Sequence, residues 1–153
     1  RWSYTVQDLD IDLLKKKLQE RGISFTDFKK IKDMEIIRRA AGGSARTLVI
    51  STDQGELQVE GEYEIRYVLN QEGEVIRQDD SAYTLSTILP SAYFVMDLRK
   101  GKKGITGFTL YGGGFGHGVG MSQNAAKAMA QSGKTYEEIL AMFYWNCQLA
   151  KKY

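Results

Sequence analysis

The sequence predicts an α+β protein: a mostly antiparallel sheet that could close into a barrel, an N-terminal helix and two C-terminal helices. Three observations support this prediction. Apolar residues recur at helical spacing near the N-terminus, alternating segments joined by tight turns fill the middle, and an alanine-rich helical pattern follows a glycine-rich stretch. At 153 residues, we expect a single domain spanning 1–153 with its own hydrophobic core.

The first predicted helix covers about Leu9 to Arg21. Asp8 or Asp10 can cap its start, apolar residues recur at helical spacing, and Gly22 supplies the stop. Lys15 to Lys17 are expected on the solvent-facing side of this helix.

Strand patterns dominate the middle of the chain. The predicted strands include Met34–Arg39 and a hairpin of Thr47–Thr52 and Glu56–Glu60, because Asp53–Gly55 is a tight-turn sequence. Further on we predict, in order, a short helix or turn at Gly61–Leu69, a polar loop at Asn70–Asp80, and strands at Thr84–Ile88, Tyr93–Asp97 and Gly104–Tyr111, with a turn at Arg99–Lys103.

Two helices are predicted at the C-terminal end. The first runs from about Ser122 to Gln131 and stops at Gly133. Thr135 and Glu138 form the pattern of a capping box, which begins a last helix that buries Ile139, Leu140 and Phe143.

Composition excludes several classes of function. A net charge of +2, with scattered lysines and arginines, gives no basis for nucleic-acid binding. No apolar run is long enough to span a membrane, and the single Cys147 excludes an internal disulfide. Because Arg1 is not a natural start residue, we expect a processed product or a fragment.

The stretch Tyr111 to Gln123, here named the glycine loop, contains six glycines and the only histidine, His117. Glycines allow backbone conformations and close approaches that other residues forbid. The loop lacks the Gly-Lys-Ser/Thr end of a phosphate-binding loop and the spacing of a dinucleotide fingerprint, so neither ligand is predicted.

Two other kinds of site fit this loop poorly. A serine hydrolase would pair Ser122 with His117, but no orienting acid is identifiable and a helix-capping role for Ser122 is the simpler alternative. One histidine and one distant cysteine do not make a zinc site, so no metal and no cofactor are predicted.

The run Gly116-His-Gly-Val-Gly-Met-Ser-Gln123 resembles the signature of the SpoIID/LytB family, the group of stage II sporulation protein D and the amidase enhancer. Segments on both sides, including Gly61–Leu69, Leu89–Val95 and the closing helices, resemble the second half of that family's domain. Phe115 stands where the family carries tryptophan, and Asn124 where it usually carries tyrosine.

The resemblance implies a site that binds the glycan strands of peptidoglycan. It points to His117, Ser122 and Gln123 for hydrogen bonds to sugar groups, and to Gly116 and Gly118 for backbone contacts. Tyr111 and Phe115 would supply a stacking surface, with packing in the core as the alternative for both.

The family's lytic transglycosylases carry a catalytic glutamate in an N-terminal half that has no counterpart in this sequence; Glu35 lies in a strand-like context. The resemblance therefore implies that this chain alone is inactive and that a missing N-terminal segment supplies the acid for glycan cleavage in cell-wall remodelling or sporulation. The alternatives are a non-catalytic peptidoglycan-binding module, or an enhancer acting with a cell-wall amidase. The expected location is extracytoplasmic, at the cell surface or anchored to the membrane through a segment not present here.

Overall fold

A computed structural model describes residues 1–85 and 87–150 and confirms the α+β class. Strands, interrupted by two single helices, fill the described residues up to Gly112, and two further helices follow. In order, the elements are β1 (Trp2–Val6), α1 (Ile11–Glu20), β2 (Ile31–Arg39), β3 (Ala45–Thr52), β4 (Gly55–Glu60), α2 (Glu62–Val68), β5 (Glu74–Arg77), β6 (Ala82–Thr84), β7 (Phe94–Gly101), β8 (Gly104–Gly112), α3 (Gln123–Gln131) and α4 (Tyr136–Phe143).

The strands form two antiparallel sheets. The larger has the order β6-β5-β1-β8-β7, and the smaller is the meander β2-β3-β4. Within the described residues, β6 and β7 lie at opposite edges of the larger sheet with no ladder between them. The expected antiparallel pairing is thus confirmed, but the sheet stays open instead of closing into a barrel.

Helix α1 begins and ends where its sequence signals predict. The Asp10 side chain accepts a hydrogen bond from the Leu13 N–H at 2.9 Å, and Gly22 adopts a φ of +66° just beyond the end. The outward placement of Lys17 was wrong: its side chain is buried and Nζ donates to the Asn70 carbonyl. Burial lowers the pKa of this amine, which lies over the Tyr67 ring at 5.2 Å.

Strand β1 is central to the larger sheet, although its short mixed sequence gave no strand prediction. It pairs with both β5 and β8, and its Tyr4 side chain is buried against Phe108. The Tyr4 hydroxyl accepts the N–H groups of Gln71, at 2.7 Å, and Gly73, at 3.3 Å. This strand therefore fixes the segment that follows α2.

Other boundaries differ from the predictions in the polar middle segment. The predicted loop Asn70–Asp80 contains β5, in which only Val75 is buried, so ladder pairing and not a hydrophobic pattern defines this strand. The strand predicted at Thr84–Ile88 ends at Thr84, and Ser86 lies outside the described residues. The turn between β7 and β8 is shorter than predicted and consists of Lys102 and Lys103, because both strands extend further than predicted.

The chain divides into two compact units, Arg1–His117 and Gly118–Tyr153. The first contains both sheets, α1, α2 and the whole hydrophobic core cluster. The second contains α3 and α4, and the capping box of Thr135 and Glu138 is formed as predicted. Ile139 is buried as expected, but the expected burial of Leu140 and Phe143 was wrong, since both are only half-buried. None of the described helices is long and apolar enough to cross a membrane.

Candidate functional site

The glycine loop leaves the end of β8 and is fixed by the segment that precedes β7, here named the anchor segment (residues 89–93). The N–H of Gly113 donates to the Tyr93 carbonyl at 2.9 Å, and the N–H of Gly116 donates to the Pro90 carbonyl at 2.8 Å. The buried Ser91 hydroxyl donates to the Gly113 carbonyl at 2.7 Å. These bonds fix the backbone from Gly113 to Gly116, here named the anchored part of the loop.

Behind the anchor segment lies a buried arginine from α2. Arg66 is 5% exposed; its Nε donates to the Leu89 carbonyl at 2.8 Å and its Nη2 to the Pro90 carbonyl at 3.2 Å. Its Nη1 pairs with Glu62 at 3.0 Å. The Pro90 carbonyl therefore accepts from both the guanidinium and Gly116, which links α2 to the loop through one atom.

Trp2 of β1 holds the loop from the other side. Its indole N–H donates to the Gly114 carbonyl at 3.2 Å. Its ring lies so close to Gly112 that a Cβ there would come within 2.1 Å of a ring carbon. Gly114 and Gly116 have φ values of +74° and +110°, which L side chains rarely adopt. Glycine is thus required at these points for packing and for backbone conformation.

The predicted site residues of the first unit lie on this fixed framework. Tyr111 is 54% exposed and Phe115 is 86% exposed, so packing in the core is not the role of either ring. Gly116 belongs to the anchored part of the loop, and the exposed His117 is the last residue of the unit. An exposed aromatic ring on a fixed glycine backbone can stack on a flat ligand.

The remaining predicted site residues, Gly118, Ser122 and Gln123, belong to the second unit. Ser122 is the N-cap of α3, where its hydroxyl accepts a hydrogen bond from the Ala125 N–H at 3.3 Å. Gln123 is the first residue of that helix, and both side chains are exposed. The capping role proposed for Ser122 as the simpler alternative is therefore present.

A groove that sequence reasoning missed lies beside the anchored part of the loop. Its volume is about 730 Å³, and Trp2, Tyr111 and Gly113 contribute to its lining together with three arginines, Arg1, Arg39 and Arg77. These residues are far apart in sequence and form no motif. Pairing of β1 with β5 and β8 brings Trp2, Arg77 and Tyr111 together, and Arg39 of the smaller sheet reaches them through its hydrogen bond to the Phe94 carbonyl at 2.9 Å. No signal along the chain could therefore have identified the groove.

Among the described residues, no group of three or more His, Cys, Asp or Glu side chains could hold a metal ion. Glu35 is exposed on β2, in the strand context that its sequence predicted.

Comparison with known proteins identifies relatives for parts of the chain. A 59-residue segment is 41% identical to the amidase enhancer of Bacillus subtilis (strain 168), covering 39% of this chain and 8% of that protein. A 38-residue segment is 50% identical to stage II sporulation protein D of the same organism, covering 25% of this chain and 11% of that protein. The chain thus spans only a small part of each of these relatives. No solved structure matches.

A family model covers far more of the chain than these local matches do. It is described as a domain of unknown function, DUF8618, and it matches residues 1–120, which include both sheets and the anchored part of the glycine loop. The chain therefore belongs to the DUF8618 family.

Proposed function

We propose that this chain is the glycan-binding part of a cell-wall protein, and that the glycine loop contacts the sugar strand of peptidoglycan. The observation that carries the proposal is the fixed loop backbone, from which Phe115 is 86% exposed. The similarity of two segments to an amidase enhancer and to a sporulation protein supports a role related to the cell wall. Such a protein would act outside the cytoplasm.

In this proposal, aromatic and backbone groups of the loop bind the sugar strand. Phe115 and Tyr111 stack on sugar faces, while His117, Ser122, Gln123 and backbone groups of Gly116 and Gly118 other than the Gly116 N–H, which donates to Pro90, bind hydroxyl, acetamido or carboxylate groups. Cleavage of the strand would need a general acid at the glycosidic oxygen. We propose that a glutamate from a segment other than this one supplies it, so that the chain alone binds without cleaving.

Sedimentation with purified peptidoglycan tests the binding. Phe115→Ala should weaken binding about two- to tenfold, because an aromatic contact contributes roughly 0.5–1.5 kcal/mol. Tyr136→Ala is the control, since Tyr136 is also an exposed aromatic residue, 66% exposed, but lies on α4. Equal losses in the two variants, or none in Phe115→Ala, would contradict the assignment of the loop.

Chromatography of the soluble products tests the claim that the chain alone does not cleave. We expect no anhydro-muropeptides above the level of a blank after prolonged incubation with peptidoglycan. Robust release of anhydro-sugars would show that the catalytic acid lies within these residues.

A second candidate function is enhancement of a cell-wall amidase without cleavage of glycan. The 41% identity to a segment of the amidase enhancer favours it. In this case, adding the chain to a purified cell-wall amidase would raise the rate of stem-peptide release, and Phe115→Ala would reduce the increase.

A further inference from the structure

A small polar pocket lies between α1 and the segment that follows α2. Its volume is about 150 Å³, and its lining includes Lys16, Lys17 and Glu20 of α1, Tyr67 of α2, and Glu72. Lys17 is 6% exposed, whereas Lys16, Glu20 and Glu72 are exposed. The pocket therefore has one buried cation and a rim of charged side chains at the surface.

Lys17 is a buried ammonium group with more donors than acceptors around it. An ammonium has three N–H donors. Nζ of Lys17 donates to the Asn70 carbonyl and lies 5.2 Å from the centre of the Tyr67 ring, and no carboxylate of the described residues is within ion-pair distance of it. A buried charge is costly unless it is paired and hydrogen-bonded. A carboxylate brought by a ligand would supply both the charge and the acceptors.

Asn70 connects the buried amine to Glu72. Its carbonyl accepts from Lys17, and its Oδ1 accepts from the Glu72 N–H at 2.9 Å. Its Nδ2 is buried and has no hydrogen-bond partner in the described part of the chain, so donors exceed acceptors here. Burial lowers the pKa of Lys17, and the nearby charge of Glu72 partly offsets this effect. Asn70 thus fixes the backbone that carries Glu72 close to the buried amine.

The charges of the lining distinguish between classes of ligand. Two lysines and two glutamates balance each other, so the net charge favours neither a simple anion nor a simple cation. Glu20 accepts from the Tyr67 hydroxyl at 2.6 Å and lies 4.0 Å from Lys16. Within the described residues, Lys17 and Glu72 are the two charged lining groups that form no ion pair. A molecule with one carboxylate and one ammonium can pair with both.

We propose that this pocket binds a small α-amino acid as a zwitterion, with its carboxylate on Lys17 and its ammonium on Glu72. A water molecule occupies about 30 Å³ in the liquid, so the pocket holds about five water-sized groups. This size matches glycine or alanine and excludes an aromatic amino acid. The inference goes beyond glycan binding and does not depend on it, because the pocket shares no lining residue with the glycine loop or the groove.

Titration with alanine and with two of its fragments tests the proposal. Propionate lacks the ammonium of alanine, ethylamine lacks its carboxylate, and both are small enough to enter the pocket. Binding is followed by NMR through the backbone N–H signals of residues 70–73. We expect alanine to shift these signals, and each fragment to bind at least about tenfold more weakly, because it loses one charge-assisted contact. Phenylalanine should not shift them, because its ring does not fit.

Matched variants assign the two charged contacts. Glu72→Gln should weaken alanine binding about tenfold without weakening that of propionate, since only the ammonium contact is lost. Glu74→Gln is its control, because Glu74 is also exposed but does not line the pocket, and it should leave alanine binding unchanged. Lys17→Met keeps an unbranched stem and should abolish detectable binding. Glu72→Gln changes an exposed residue and therefore decides the point even where Lys17→Met does not fold.

Each other outcome overturns the proposal in a distinguishable way. Propionate that binds as tightly as alanine would show a site for anions alone, and ethylamine that does so would show a site for cations alone. Equal binding of phenylalanine, or an equal loss in Glu74→Gln, would place the ligand outside this pocket. Absence of any shift with alanine would remove the site and leave glycan binding by the glycine loop intact.

Discussion

Gly112, the last residue of β8, has no room for a side chain because the Trp2 ring occupies the space where a Cβ would lie. Its neighbour Gly113 is open in that direction, with no atom within 4 Å of an added Cβ. The two adjacent glycines thus differ in whether the surrounding structure leaves room for a side chain. We expect an added methyl group to cost much more stability at Gly112 than at Gly113, since a well-packed site tolerates extra atoms poorly.

Replacement of each of these glycines by alanine gives a matched pair. Gly112→Ala should lower the free energy of unfolding by about 1–3 kcal/mol, because the Trp2 indole must move. Gly113→Ala should change it by less than about 0.5 kcal/mol. Urea titration followed by Trp fluorescence measures both. Equal effects would mean that the Trp2 ring does not occupy the space beside Gly112.

Burial of the Tyr4 hydroxyl predicts how stability changes in alkali. Burial raises the pKa of this phenol, opposed by its hydrogen bonds from the Gln71 and Gly73 N–H groups. The unfolded chain therefore releases the proton first, near pH 10. The contribution of Tyr4 to stability is complete below that pH and is lost as the pH rises through the folded-state value. Burial lowers the pKa of Lys17, so the unfolded chain holds that proton more tightly than the folded one. Lys17 therefore destabilises the fold below about pH 10.4, and this penalty shrinks as the pH rises from the folded-state pKa towards that value.

Urea titrations of Tyr4→Phe and the unmodified chain from pH 8 to pH 11 test this sign. We expect the free energy of unfolding to fall less steeply above about pH 10 in the variant, which has no phenol to ionise. The variant should be less stable at pH 8, because two half-buried N–H groups lose their acceptor. Parallel curves would exclude Tyr4 as the titrating group.

Among the elements, α2 has a role beyond covering the sheets, because its Arg66 connects it to the glycine loop through the Pro90 carbonyl. The pair with Glu62 lies almost entirely out of solvent, with 6% and 13% of the two side chains exposed. Removal of one member of a buried pair leaves the other charge and its hydrogen-bond partners uncompensated. Arg66, oriented by its ion pair with Glu62, thus helps to hold the anchor segment.

Arg66→Met should lower the free energy of unfolding by about 3–5 kcal/mol, as expected for a broken buried pair. Arg21→Met is its control: Arg21 pairs with Glu64 of the same helix, at 2.5 Å, but at the protein surface. We expect the control to have a much smaller effect in thermal and urea unfolding. Similar losses in both would show that the Glu62–Arg66 pair contributes no more than a surface pair.

Local signals in the sequence predicted the elements that they encode and missed those that depend on distant partners. Asp10 and Thr135 marked helix starts because a cap is a contact between residues three positions apart. Strand β5 was missed because three of its four residues are not buried, and pairing with β1 and β6 defines it. The same reasoning applies to the site: the glycine loop is contiguous in sequence, whereas the groove combines residues from separate strands.

At the scale of the whole molecule, the buried apolar side chains are concentrated in the first unit. Every residue of the core cluster lies between Trp2 and Leu110, within the first unit. In the second unit, α3 has nine residues, none of them buried, and α4 has eight, with Ile139 buried. Most of the apolar area that stabilises a fold is thus contributed by residues 1–117. The sequence pattern alone predicted one domain and gave no indication of this asymmetry.

A chain ending at His117 should therefore fold by itself. It retains the core, both sheets and the bonds that hold Gly113 and Gly116, so we expect a dispersed amide NMR spectrum and one cooperative unfolding transition. A peptide of residues 118–153 should show little helix in water, because isolated helices shorter than about 12–15 residues are marginal. Loss of dispersion in the shortened chain would show that α3 and α4 are required for folding of the first unit. Full helicity of the peptide would show instead that the second unit is an independent domain.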